Sequence, residues 1–310
     1  MITRVEEMLA LAKNTPRKYR MAVACAECPS ALETADMAQQ QGLVESILVG
    51  QRSKMELIAK ELCIDLNRFE VHDVAEPSKA VRRSLELIKN GQADIFFKGQ
   101  VSTRIFLKGV LDRDLGFRTD RVLSQLGVFN IPGEDRIMII TDAGVNIQPD
   151  VTRKVQILLN AVDLAHALGN ARPRVALLSF IEEVTDPKIG SLEDADTIKK
   201  MYQKGLIENC IVEGPYSLDV ALSPEAARIK GVKSEVAGRA DIIVMNDLGM
   251  GNVLYKALLL WCKPTLASVV MGAKIPLIVA SRSDSAQTKL NSVALAIMTH
   301  QHALREQRHA

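Results

Sequence analysis

The sequence predicts an α/β protein of two α/β domains, each a mainly parallel sheet covered by helices. Two observations carry this. Short Val/Ile-rich runs alternate with longer segments of helical period from end to end, the mark of repeated βαβ units. At 310 residues the chain is also long enough for about two domains of ordinary size.

Taken in order, strands are expected at Met21–Ala24, Ser46–Val49, Phe69–Val74, Asp94–Phe97 and Arg136–Thr141. Further strands are expected at Arg174–Phe180, Cys210–Glu213, Asp241–Met245, Ser268–Met271 and Pro276–Ala280. Between them, Pro149–Leu168 is apolar at 151, 155, 158, 159, 162 and 165, and Gly251–Trp261 at 253, 254, 257, 258 and 261. That spacing is one face of a helix. Apolar residues at 286, 290, 293, 294, 297 and 298 predict another near the C-terminus. A domain crossing is expected near Asn146–Asp150, with Asp150 capping the helix that follows, or near Leu266–Pro276.

Composition narrows the function classes. Apolar residues at 47% and charged residues at 25% fit an ordered globular protein. Lys plus Arg is 39 and Asp plus Glu is 37, so no broad field favours nucleic acid or anionic lipid. An anionic ligand must then be held by local groups. Only 4% aromatic residues argues against a base-stacking platform. No apolar run reaches the roughly 20 residues that span a membrane, and MITRVEEMLALAKN lacks the basic-then-apolar order of a signal peptide. Five cysteines, an odd number in mostly apolar surroundings, suggest free thiols in a reducing cytoplasm.

In parallel sheets ligands bind beyond the carboxyl ends of strands, where helix N-termini offer unpaired N–H groups suited to phosphate. Polar residues at strand-to-helix junctions are therefore the candidates. Lys98, Gly99, Ser102 and Thr103 follow one strand and form either a phosphate cradle or plain turn and cap chemistry. Thr141–Asn146 is either an Asp/Gly/Asn turn or an acid and an amide donor at a cleft edge. Gly214-Pro215 reads as a turn, with Asp219 as a helix cap. Gly249 and Gly251 allow close backbone approach, and Asn252 and Lys256 stand one helical turn apart.

The stretch PLIVASRSDSAQTKL, 276–290, is the richest junction. Either Ser283 or Asp284 caps a helix and Arg282 is solvated, or Arg282 grips a phosphate with Ser281 beside it as hydroxyl donor. Cys25 and Cys28 have redox-type spacing without a second pair, and read as buried or idle thiols. His72 and His166 are isolated, while His300, His302 and His309 lie in a polar C-terminal tail. No metal-ligand spacing occurs, so no metal is expected.

With these junctions in this order, the sequence resembles the phosphate acetyl/butyryl transferases, especially the butyryl branch. The matching phrases are Lys98-Gly99 with Thr103, Thr141-Asp142 with Asn146 and Pro149, and Glu213–Pro215 with Asp219. Gly251–Lys256, Met271–Pro276 and Ser281–Ser285 with Lys289-Leu290 complete the series, between about Ala93 and Ala296. The resemblance implies two α/β domains with the active site in the cleft between them. Residues 1–148 and 270–310 would form the first, discontinuous domain, and 149–269 the second. It also implies the reaction acyl-CoA plus phosphate giving acyl phosphate plus CoA, with a short acyl group, no metal or bound cofactor, and a homo-oligomer.

Carried onto this chain, the catalytic candidates are Ser281, Arg282, Asp284 and Asp142. Lys98, Gly99, Thr103, Thr141, Asn146, Gly214, Pro215, Gly251, Asn252 and Lys256 are the substrate-binding candidates. The chain departs from the family in four places. Gln125 replaces a histidine usual in the butyryl branch, and an acidic residue is missing at Gly249. An asparagine usual near Thr185 is replaced, and Thr288 stands where the acetyl branch has a catalytic acid.

The chemistry has simple needs. Phosphate is already anionic, so Arg282 has only to screen and orient its approach to the thioester. The Ser281 hydroxyl and a backbone N–H would stabilise the developing oxyanion. In reverse the CoA thiol must lose a proton, with Asp284 or Asp142 as base. No cysteine occupies a family nucleophile position, so transfer is expected to be direct. Two rivals stand beside this reading. A dehydrogenase of related fold needs clustered aspartates, and none appear. A non-catalytic relative that binds acyl-CoA or acyl phosphate draws support from Gln125 and Gly249.

Overall fold

A computed structural model describes residues 1–183, 185–186, 189–281 and 284–309. In chain order it begins α1 Val5–Lys13, β1 Tyr19–Ala24, α2 Pro29–Gln40, β2 Val44–Gly50, α3 Arg52–Glu61, β3 Glu70–Asp73, α4 Pro77–Lys89, β4 Ile95–Lys98 and α5 Thr103–Val110. Next come β5 Ser124–Asn130, β6 Ile137–Thr141, α6 Val151–Ala167, β7 Arg174–Leu178, α7 Gly190–Gln203, β8 Ile211–Tyr216, α8 Leu218–Leu222, α9 Pro224–Ile229 and β9 Ile242–Val244. Then follow α10 Leu248–Ala257, a π-helical turn Leu258–Cys262, β10 Thr265–Met271, β11 Leu277–Ile278 and α11 Ala286–His309.

Backbone contacts divide the chain into a discontinuous unit, 6–120 with 266–310, and a central unit, 1–5 with 121–265. The later crossing lies close to the expected 269/270, but the earlier one falls at 120/121 and not at 148/149. The cause is β5, a strand absent from the sequence reading. It pairs antiparallel with β6 from Leu126↔Thr141 to Asn130↔Ile137, and β6 pairs parallel with β9 over Ile139–Thr141. Once β6 is committed to β9, its hairpin partner joins the central unit with it.

The discontinuous unit orders its strands β3-β2-β1-β4-β11-β10, parallel except between β10 and β11. Met21, Val23, Ile47, Leu48, Phe96 and Phe97 are buried along these strands, as expected of a sheet covered on both faces. Phe96 stacks on Phe106 of α5 with ring centroids 4.1 Å apart. From residue 289 to 299, α11 is buried on every side, so its polar groups need partners. The Ser292 hydroxyl accepts from the Ser268 N–H at 2.9 Å, and the Asn291 amide donates to the Leu266 carbonyl at 3.1 Å. His300 does not lie in a loose tail. It sits within α11, edge-on to Tyr19 at 5.7 Å, and burial holds its imidazole below the usual range.

The central unit orders its strands β5-β6-β9-β7-β8, antiparallel only between β5 and β6. Leu126, Val128, Ile140, Leu158, Val175, Val212, Ile242 and Ile243 form its core. Gly127 is required inside β5, because a Cβ there would meet the Phe129 ring at 2.6 Å and the Tyr255 ring at 2.9 Å. Gly214 and Pro215 do not form a turn; both lie inside β8. The β7–β8 register shifts between Ala176 and Leu178, and beside such an irregularity a proline lacking N–H is tolerated. Gly214 is held at φ +147, where a Cβ would meet the Leu177 carbonyl at 2.7 Å. Among the described residues, no helix is long and apolar enough to cross a membrane.

Candidate active site

In the discontinuous unit the carboxyl edge of the sheet gathers the ends of β1, β4 and β11, since these strands are parallel neighbours. Gly99 crosses directly over the end of β1. Its N–H donates to the Ala24 carbonyl at 2.9 Å, and an added Cβ would lie 2.2 Å from the Cys25 carbonyl oxygen. Only glycine allows that approach. Lys98 folds back over the loop and donates to the carbonyls of Val101 at 3.0 Å and Gly99 at 3.3 Å. Ser102 caps α5 by accepting from the Ile105 N–H at 3.2 Å, which places Thr103 in the first turn.

Past β11, the Ser281 N–H donates to Asp284 Oδ2 at 2.7 Å, and the Asp284 N–H donates to the Ser281 carbonyl at 3.2 Å. Asp284 thus closes the loop on itself instead of capping the helix. The cap is Ser285, which accepts from the Thr288 N–H at 3.1 Å. Lys289, part of the last matching phrase, is buried and donates to the Asp284 carbonyl at 2.7 Å, a bracing role that the sequence did not reveal. Arg282 and Ser283 lie outside the described residues. Beside this edge, Glu27 Oε2 is buried without a hydrogen-bond partner, and an added Cβ on Gly50 would stand 2.0 Å from it. No local spacing marks this carboxylate, because the Gly50 backbone that encloses it lies on another strand. Burial, the larger cause, and the Glu27 charge push the Cys25 thiol up to about 12, so it is inert near neutral pH.

In the central unit Asp142 follows β6 almost wholly buried, and its carboxylate accepts five hydrogen bonds. Oδ1 takes the N–H groups of Gly144 at 2.9 Å, Val145 at 3.1 Å and Gln125 at 3.2 Å. Oδ2 takes the Asn146 N–H at 2.9 Å and its side-chain amide at 2.6 Å. The same Asn146 amide reaches the Leu123 carbonyl at 2.8 Å, and the Thr141 hydroxyl donates to the Gln125 carbonyl at 3.2 Å. Thr141, Asp142 and Asn146 are therefore one hydrogen-bonded unit that fixes Gln125.

α10 packs against this turn. A Cβ on Gly251 would lie 2.2 Å from the Asp142 carbonyl oxygen, and the Asn252 amide donates to the Ala143 carbonyl at 3.3 Å. Asp247 caps α10 by accepting from the Met250 N–H at 2.9 Å. Lys154, buried in α6, bonds to Asp194 and to Asn246, next to that cap; this ion pair too was missed. Lys256 is exposed and makes no polar contact among the described residues. Gly214 and Pro215 are buried in β8 and offer no polar side chain. Among the described residues, no group of three or more His, Cys, Asp or Glu side chains is placed to hold a metal ion.

Residues 77–297 match the family described as Phosphate acetyl/butaryl transferase. The chain is 39% identical over 293 residues to the phosphate butyryltransferase of Clostridium beijerinckii, covering 94% of this chain and 96% of that protein. It is 35% identical over 292 residues to the phosphate acetyltransferase of Thermotoga maritima, covering 94% of this chain and 98% of that protein. The crystal structure of a branched-chain phosphotransacylase from Enterococcus faecalis superposes with a TM-score of 0.81 at 27% identity, covering 92% of this chain and 99% of that chain.

Proposed function

The chain belongs to the phosphate acetyl/butaryl transferase family and is a phosphate acyltransferase; we propose that it passes a short acyl group, butyryl or acetyl, directly between coenzyme A and phosphate. The observation that carries this reading is likeness to such enzymes along nearly the whole chain. Neither rival, the dehydrogenase or the non-catalytic binder, is favoured by relatives of this identity and coverage.

In the proposed mechanism Arg282 holds phosphate with two parallel bonds and aims one oxygen at the thioester carbonyl. The Ser281 hydroxyl donates to the carbonyl oxygen as it becomes an oxyanion, an effect worth about 3–4 kcal/mol per donor. Collapse of the tetrahedral species expels the CoA thiolate, a good leaving group because its thiol pKa is roughly 8–9. In the opposite direction a carboxylate must take the thiol proton. Asp142 is a poor choice, since protonation would break part of a set of five hydrogen bonds. We therefore assign Asp142 to positioning and Asp284 to the proton.

Lys98, Gly99 and Thr103 would frame the phosphate side of the substrate, and Thr141, Asn146, Gly251, Asn252 and Lys256 the rest. Gly214 and Pro215 would serve only by shaping the end of β8. The reaction is proposed to need no resident cofactor, and the enzyme to be a cytoplasmic homo-oligomer. Val253, Leu260 and Trp261, apolar side chains exposed on α10 and the turn after it, support the oligomer.

Isotope exchange tests the function and the direct route together. Labelled CoA is incubated with unlabelled butyryl-CoA, with and without phosphate. Label should enter butyryl-CoA only when phosphate is present. Exchange without phosphate would mean an acyl-enzyme, and none in either condition, with acetyl-CoA as well as with butyryl-CoA, would remove the transferase reading.

A further inference from the structure

At the edge of the discontinuous unit's sheet where β1 and β2 begin, a cavity of about 610 Å3 opens. The strands are parallel, so this edge lies at the opposite end of β1 and β4 from Lys98 and Gly99. Lys13, Arg17, Lys18, Arg20 and Arg68 line it, against the carboxylates Glu45 and Glu70. α1 ends at Lys13, where the helix dipole already favours a cation. The remaining cations are not covered by that account.

Three of the five cations have acidic partners. Arg17 bonds to Asp94 and lies over the Tyr19 ring at 5.3 Å, Arg20 bonds to Glu70, and Arg68 meets Asp36 at 2.9 Å. Two do not, because Lys13 and Lys18 have no carboxylate partner among the described residues.

We propose that this cavity binds a small molecule bearing a diphosphate or triphosphate, at a site distinct from that of acyl transfer. Its volume falls within the roughly 300–1,000 Å3 of small-molecule pockets. Concave walls with cations in excess concentrate anionic ligands, and guanidinium and ammonium groups together suit a chain of phosphates better than one carboxylate. Lys13 and Lys18 grip the phosphates.

Calorimetric titration of the whole protein with inorganic tripolyphosphate, and separately with ADP, tests this. The wild type and Lys98→Ala should bind one equivalent per chain with the same affinity. The doubly substituted Lys13→Gln/Lys18→Gln variant should bind roughly tenfold or more weakly, since two charge-assisted contacts are lost. Similar affinity for both probes would mean that the phosphate chain suffices, and preference for ADP that the nucleoside is also read. As a second measure on unmutated protein, tripolyphosphate should shield Lys13 and Lys18 from acetylation by an amine-reactive ester. Binding that is absent, undiminished in the double variant, or lost only in Lys98→Ala would overturn the proposal, as would unshielded lysines.

Discussion

Asp142→Asn separates an organising carboxylate from a proton-transferring one. The substitution preserves shape and leaves Oδ1 to its three donors, but turns Oδ2 into an amide that faces two other donors, the Asn146 N–H and side-chain amide. Hydrogen bonds to a charged group contribute about 1.5–3 kcal/mol each, so losing two destabilises the turn by roughly 3–6 kcal/mol. Asp142 is only 3% exposed, so water cannot replace them. At about 2–4 °C per kcal/mol for a domain of this size, the unfolding midpoint should fall by on the order of 10 °C. Scanning calorimetry beside phosphate-dependent thiol release gives both readouts. A variant whose midpoint stays within about 1 °C, yet which loses the acidic limb of its reverse pH–rate profile, would refute the reasoning and make Asp142 the base.

Gly251→Ala places a methyl 2.2 Å from the Asp142 carbonyl oxygen, where backbone cannot yield, whereas Gly249→Ala meets only the Asp247 side chain at 3.1 Å. Thermal denaturation should show a loss of about 1–3 kcal/mol for the first and much less for the second; equal losses would contradict the contact. Ser281→Ala should lower kcat about 100-fold with little change in the KM for acyl-CoA, and Arg282→Ala should raise the phosphate requirement and lower turnover; steady-state kinetics check both. Because burial raises the Cys25 thiol to about 12, its contribution to stability is complete below the unfolded pKa of roughly 8.5–9 and is lost as pH climbs toward that raised value. The unfolding midpoint should therefore decline from about pH 9 upward, less steeply in Cys25→Ala, and superimposable profiles would contradict this.

Most of the α/β alternation was legible because parallel strands buried on both faces leave continuous Val/Ile-rich runs. β5 was not, since Gln125 and Gly127 interrupt its pattern and that glycine answers to Phe129 and Tyr255, one of them far along the chain. Missing β5 also displaced the first domain crossing, because the pairing of β6 with β9 is a contact that no local signal records. Gly214-Pro215 carried a turn signature that a register shift overrode.

At the site, residue types at strand exits located the Lys98, Asp142 and Ser281 loops, and Asp150 caps α6 as its position suggested. Their internal roles depend on partners. The five donors around Asp142 are mostly backbone N–H groups, and Lys154 finds Asp194 and Asn246 on distant segments. Such bonds leave no trace in composition or spacing.

Thiol release from acetyl-, propionyl- and butyryl-CoA by the purified protein, followed with and without orthophosphate, tests the central claim most directly. Release should need phosphate and yield one acyl phosphate per thiol with at least one of these donors. Thiol that appears at the same rate without phosphate, or no thiol from any donor and no acyl-CoA from acyl phosphate and CoA, would contradict it.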